Sequence, residues 1–136
     1  IFFVDLPTKS VREEILKIHL RKKHRDPDQF DVSSLAEDSV GFSGAELEEA
    51  VREGLYDAFA EGNALKTEDI ARALKKTYPL SSTMRDQLED LRRWAKIRAR
   101  LASDSDPEPL PPESGGRAPT LQQERARNPF VPRERA

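Results

Sequence analysis

The chain has 136 residues, a net charge of −2 and no cysteine, with 35% charged and 36% hydrophobic residues. That length holds one modest domain and an appendage, and the charge level leaves only part of the chain to build a core. Disulfides, thiol nucleophiles and thiolate metal sites are excluded, and no apolar run approaches the roughly 20 residues of a membrane-spanning helix.

Ile1–Leu6 is an apolar run stopped by Pro7, which predicts a buried strand rather than a six-residue helix. Such a strand needs a sheet that the rest of the chain does not offer. The chain opens inside this run at Ile1, so it reads as a fragment whose upstream part is missing. A first helix is expected over 9–23. Thr8 is one candidate cap, and Ser10 with Glu13 makes a reciprocal capping box that reads better. Val11, Ile15 and Ile18 share one face while Leu16 and Leu20 point elsewhere, so this helix is covered on more than one side. Asp26-Pro27-Asp28 signals a turn, and Asp31 caps a short helical turn carrying Val32, Leu35 and Ala36.

Ser43 with Glu46 forms a second capping box, and Phe42 and Leu47 occupy the positions of a hydrophobic staple. Leu47, Val51, Leu55, Ala58 and Phe59 then keep helical spacing until Gly62, which closes the helix in the left-handed conformation. Thr67 caps a helix bearing Ile70, Ala71 and Leu74, stopped by Pro79. A last helix over about 82–101 carries Met84, Leu88, Leu91 and Ala95. Residues 1–102 hold 31 large apolar or aromatic side chains; residues 103–136 hold four, with seven of the ten prolines. The tail is therefore expected to be disordered, with a candidate short recognition motif around Phe130 and Val131. The fold class is mainly α: a small helical bundle, one orphan N-terminal strand, an extra C-terminal helix and a loose Pro/Arg-rich tail.

Enzyme chemistry finds little support in the residues. His19 and His24 lie five apart, off one helix face, where a metal pair needs three or four. There is no Gly-x-Ser-x-Gly elbow, and Gly41-Phe-Ser-Gly44 is too short for a phosphate loop and lacks its lysine. Phe2-Phe3-Val4-Asp5 imitates a strand ending in a magnesium-binding aspartate. Leu6 stands where an acidic neighbour is needed, and we read the likeness as coincidence.

Ile1–Pro7, then Arg12-Glu-Glu-Ile15-Leu-Lys-Ile-His19, then Gly41-Phe-Ser-Gly44-Ala45-Glu-Leu47 resemble, in order and spacing, the C-terminal helical lid of an AAA+ ATPase. The resemblance covers about residues 1–78 and extends to the lids of membrane-bound AAA+ proteases. Beyond Pro79, Leu80-Ser-Ser-Thr-Met84 and Leu91-Arg-Arg-Trp94-Ala95 are similar to the end of an uncharacterised AAA+ family of plastid and cyanobacterial reading frames. The resemblance implies that residues 1–7 are the last strand and linker of an α/β core. Residues 8–79 would be the lid, 80–102 an added helix and 103–136 the tail. It implies ATP or ADP as ligand, with Ile15 beside the adenine, His19 near the ribose, and the Gly44 and Ala45 backbone against the nucleotide. Magnesium would be held by the core. Ala45 stands where many relatives carry a phosphate-reading arginine, so no lid arginine is assigned that role.

The resemblance further implies a homo-oligomeric ring, a neighbouring AAA+ subunit as partner, a remodelling function, and a cytoplasmic or plastid-stromal location. The chain alone, without a phosphate loop, should not hydrolyse ATP. A reading of another class is a helical interaction module. Arg92, Arg93, Trp94 and Lys96 would then form a surface for nucleic acid or protein, through phosphate neutralisation and base stacking.

Overall fold

The computed structural model describes residues 1–103 and 106–112. The chain begins with β1 (Phe2–Phe3) and α1 (Lys9–Lys22). A 3-10 turn at Pro27–Gln29 leads to α2 (Val32–Asp38), α3 (Gly44–Ala60) and α4 (Thr67–Lys76). A four-residue α5 (Leu80–Thr83), α6 (Arg85–Arg98) and β2 (Arg100–Leu101) complete it. The mainly helical class is as expected. The Pro/Arg-rich stretch with Phe130 and Val131 lies outside the described residues.

Helices α1 to α4 enclose the core. Leu16, Leu20, Leu35, Leu47, Val51 and Ile70 are all fully buried. Local chemistry sets most of the boundaries. Asp31 Oδ1 accepts the Ser34 amide at the start of α2. At α3 the capping box forms in both directions: the Glu46 amide donates to Ser43 Oγ at 3.3 Å, and the Ser43 amide donates to Glu46 Oε2 at 2.8 Å. Phe42 and Leu47 are both buried, as a staple requires. Gly62 closes α3 at φ +73°, with the Asn63 amide reaching back to the Ala58 carbonyl.

Several expectations need correction. The Ser10–Glu13 box does not form. The residue preceding α1 is Thr8, and its side chain makes no cap bond to the helix. The first amide of α1, at Lys9, instead donates to Glu108 Oε1 at 2.6 Å, a cap supplied from 99 residues away. Thr67 opens α4 from inside rather than capping it. Its hydroxyl accepts the Asp31 amide, and Asp69 Oδ2 accepts the Lys66 amide. On α1 the buried register is Arg12, Leu16 and Leu20, leaving Val11 and Ile18 nearly half exposed. Phe59 is exposed as well. The expected helix over 82–101 breaks at Met84 and ends at Arg98, with Leu101 in a strand.

The N-terminal strand is not wholly unpaired. β1 runs parallel to β2, with the Arg100 amide donating to the Ile1 carbonyl and the Ala102 amide to the Phe3 carbonyl. Two residues of pairing do not bury it, and Ile1, Phe2 and Val4 remain largely exposed. Residues 106–112, expected within the disordered tail, lie against the bundle and bury Leu110.

Gly54 in mid-α3 marks a close helix crossing. A Cβ there would stand 3.1 to 3.3 Å from the backbone of Asp69 and Ile70 at the start of α4. Alanine ordinarily improves a helix interior by about 1 kcal/mol over glycine. Gly54→Ala should nevertheless destabilise the chain by about 1 kcal/mol, since forcing α4 away costs about 1–3 kcal/mol. A lowered urea midpoint at unchanged slope is the expected result.

Candidate nucleotide-facing cleft

Helices α1 and α3 pack side by side, and this brings two distant parts of the sequence together. Ile15 lies in the middle of α1 and Gly44 is the first residue of α3. The Ile15 Cδ1 atom stands 3.7 Å from where a Cβ on Gly44 would be. Among the described residues no other contact within 4 Å would meet that Cβ, so packing within the bundle does not demand glycine at this position. Gly41, by contrast, sits at φ +81° in a crowded turn that does demand it.

Ile15 and Gly44 line an open cleft of about 260 Å³ together with Val11, Leu6, Pro7 and Leu101. Its wall is mostly apolar, which suits a flat heteroaromatic ring. Of α3, its lining includes Gly44, the first helical residue. The Glu46 and Leu47 amides are satisfied by Ser43. Among the described residues the Gly44 and Ala45 amides donate to no protein acceptor. Unpaired amides at a helix N-terminus favour an anion or a polar ligand edge.

His19 lies one turn beyond Ile15 on the same α1–α3 seam and is mostly buried. Among the described residues its Nδ1 has no hydrogen-bond partner, and it sits 3.7 Å from Glu48 Oε1. A buried, unsatisfied ring nitrogen is costly unless something completes it. Ala45 is exposed beside Gly44. Of the four expected residues, Ile15 and Gly44 therefore meet directly. Ala45 flanks them, and His19 is offset by a turn. Among the described residues no group of three or more His, Asp or Glu is arranged to hold a metal ion.

The basic stretch on α6 is partly engaged within the chain. Arg92 is not part of a free cationic surface. Its Nε and Nη2 donate to Asp5 Oδ1 at 3.0 and 2.9 Å, and its Nη1 donates to the Glu108 carbonyl at 3.0 Å. The guanidinium is thereby committed to tying β1 and the C-terminal segment to α6. Arg93 pairs with Asp90 on its own helix, and Trp94 is 41% exposed. Asp5, engaged by Arg92, bears no likeness to an open metal ligand.

Two residues that carry the architecture were not singled out as such by sequence reasoning. Arg12 is 1% exposed. It donates from Nε to the Ala36 carbonyl, and from Nη1 to the Pro7 carbonyl and to Glu108 Oε2 at 2.7 Å. Burial acts to raise the Glu108 carboxyl. The Arg12 hydrogen bond, the Lys9 amide and the Arg12 charge outweigh it and hold the group below its ordinary value of 4.5. The available signals were modest: Arg12 falls in the i, i+4, i+8 register of Leu16 and Leu20, and Glu108 lies between two prolines beside Leu110.

No family model matches the chain. It is 45% identical over 105 residues to the uncharacterized AAA domain-containing protein ycf46 of Pyropia yezoensis, and 39% identical over 105 residues to that of Guillardia theta. Each alignment takes in 76% of this chain and 21% of the relative, so the chain spans about a fifth of these proteins. It is also 45% identical over 74 residues to the ATP-dependent zinc metalloprotease FtsH 2 of Salinibacter ruber, covering 54% of this chain and 11% of that protein. The combined motifs, the helical fold and these similarities agree: the chain is homologous to AAA domain-containing proteins and corresponds to an AAA+ C-terminal region.

Proposed function

We propose that this region is the lid of an AAA+ ATPase, closing over ATP and passing nucleotide state to a neighbouring subunit of a homo-oligomeric ring. In this reading Ile15 packs on the adenine, His19 serves the ribose, and the Gly44–Ala45 backbone approaches the nucleotide. ATP supplies the phosphate bond to be hydrolysed, and magnesium is held by the α/β core of the parent protein. The bundle moves as a rigid body about Leu6–Pro7, where proline restricts the linker. The exposed apolar side chains of Ile1, Phe2 and Val4 suit a strand continued by a larger sheet. The parent would be a remodelling machine of the cytoplasm or plastid stroma.

The observation that carries this reading is the Ile15–Gly44 cleft, where a glycine not required by packing meets an apolar wall and its amide donates to no acceptor among the described residues. Titrating the chain with ADP should shift the Gly44 and Ala45 amide and Ile15 methyl resonances saturably. Half a binding site should give a dissociation constant of about 1 mM or weaker, equivalent to some 4 kcal/mol. Gly44→Val should remove the response while helix content stays constant. Shifts no different from those caused by equal ionic strength would refute the assignment. The chain alone should not hydrolyse ATP.

The alternative, a nucleic-acid or protein module using Arg92, Arg93, Trp94 and Lys96, is weakened by the commitment of Arg92 to Asp5 and Glu108. No observation favours it over the nucleotide reading.

A further inference from the structure

Extended peptide segments seldom hold their place on a helical bundle unless specific groups receive them, because ordering each residue is entropically costly. Within residues 106–112, Glu108, Leu110 and Pro111 are each received by specific groups. The Glu108 carboxylate accepts from the Lys9 amide at the N-terminus of α1 and from the buried Arg12 guanidinium. The Glu108 carbonyl accepts from Arg92. Leu110 is buried, its neighbour Pro111 lies over the Gly41 turn, and the Pro111 carbonyl accepts from Arg85 Nη1 at 3.0 Å. Three arginines from two helices and one helix terminus thus converge on a stretch of four residues.

The geometry points to a receptor site on the bundle for an acidic, proline-bounded peptide, filled in this chain by its own Glu108–Pro111, which latches the linker at Pro7. Arg12 makes the coupling. The same Nη1 that binds Glu108 Oε2 also donates to the Pro7 carbonyl at 2.8 Å, and Arg92 joins Glu108 to Asp5 just before the linker. A seated segment therefore holds both sides of Leu6–Pro7. With the segment released, Arg12 keeps only its bonds to Pro7 and Ala36, the Lys9 amide loses its acceptor, and the linker gains freedom. The prolines favour this use, since they limit the conformations an unbound segment must give up. The carboxylate supplies selectivity, because the buried arginine is poorly satisfied by a neutral side chain.

This inference needs no nucleotide, and the cleft of Ile15 and Gly44 shares Leu6, Pro7 and Pro107 with the latch. Amide hydrogen exchange on the full chain tests it, comparing residues 4–12 with α3 as an internal reference. In a Glu108→Gln, Leu110→Ala double variant, exchange at residues 4–12 should quicken by about tenfold or more while α3 keeps its protection. Adding the free heptapeptide of residues 106–112 at about millimolar concentration should restore the lost protection, whereas the same peptide with Gln for Glu should not. Unchanged exchange at residues 4–12 in the double variant would overturn the latch. Equal acceleration in α3 would overturn it too, by making the segment an ordinary part of the core. Failure of the Glu-containing peptide to restore protection would overturn the receptor site. Leu110→Ala alone, which leaves every ionic contact intact, should give a smaller change of the same pattern.

Discussion

Replacing Arg12 by methionine should lower the stability of the chain by about 2–3 kcal/mol, read as a reduced urea midpoint at unchanged slope. Methionine keeps much of the apolar stem, so the loss reports the polar head. Breaking a buried ion pair costs about 3–5 kcal/mol. The lower figure applies because Glu108 remains one-third exposed and water takes back part of its solvation. The carbonyls of Ala36 and Pro7 lose their donor at the same time. Lysine should recover only part of the loss, since one ammonium on a flexible stem cannot span acceptors that the planar guanidinium reaches together.

The same substitution should alter the response to acid. Glu108 titrates below 4.5 in the folded chain, held there against burial by Arg12 and the Lys9 amide. A carboxyl depressed on folding contributes stability above its unfolded value, and that contribution fades as pH falls through the folded value. The gap between the wild-type chain and Arg12→Met should therefore be full above pH 4.5 and shrink below it. Arg92 meets the Glu108 backbone carbonyl rather than its carboxylate, and the Lys9 ammonium pairs with Glu37. Arg12 is accordingly the charged side chain that governs this dependence.

Gly41→Ala should be at least as damaging, costing about 2–4 kcal/mol. Part of the cost is conformational, since a residue with a Cβ held at φ +81° is disfavoured by about 1–2 kcal/mol. The rest is steric. The new methyl would lie 2.5 Å from Ser81 Oγ and under 3 Å from two carbons of the Pro111 ring. Ser81 cannot easily retreat, because it is buried and its hydroxyl donates to the Gly41 carbonyl at 2.7 Å. Pro111 can retreat, on a segment with no regular secondary structure. The predicted outcome is thus a displaced C-terminal segment over a largely intact four-helix core. A double-mutant cycle with Pro111→Ala should show coupling, because removing the ring atoms relieves much of the clash before alanine is introduced.

The positions where sequence reading succeeded and failed have a common logic. The Asp31 cap, the Ser43–Glu46 box, the Phe42–Leu47 staple and the Gly62 closure each depend on residues within four or five positions of one another. Their geometry follows from local backbone chemistry, and each formed as expected. Ser10–Glu13 obeyed the same local rule and still failed. The actual start of α1 lies at Lys9, where its first amide meets an acceptor 99 residues away. On α1 the sequence reading covers more than one side, with Val11, Ile15 and Ile18 on one face and Leu16 and Leu20 elsewhere. The structure buries the side of Leu16 and Leu20 together with Arg12, whose guanidinium finds three oxygen acceptors there, and leaves Val11 and Ile18 nearly half exposed.

The candidate site divides along the same line. Gly44 and Ala45 were legible as the exposed start of a capped helix, and Ile15 and His19 as one edge of α1. Only packing of α1 against α3 could show that Ile15 touches the Gly44 position while His19 sits a turn further along. The basic cluster on α6 looked like a surface until the fold assigned Arg92 to Asp5 and Glu108.

The amino-acid order by itself determined a mainly helical chain, most of the helix ends and the AAA+ kinship, since caps, periodicity and motifs are encoded over a few neighbouring residues. The tertiary structure alone decided which side of α1 is buried, that residues 106–112 are docked, and that one arginine joins linker to strap. Those outcomes depend on satisfying buried polar groups across distances in sequence that no local pattern records.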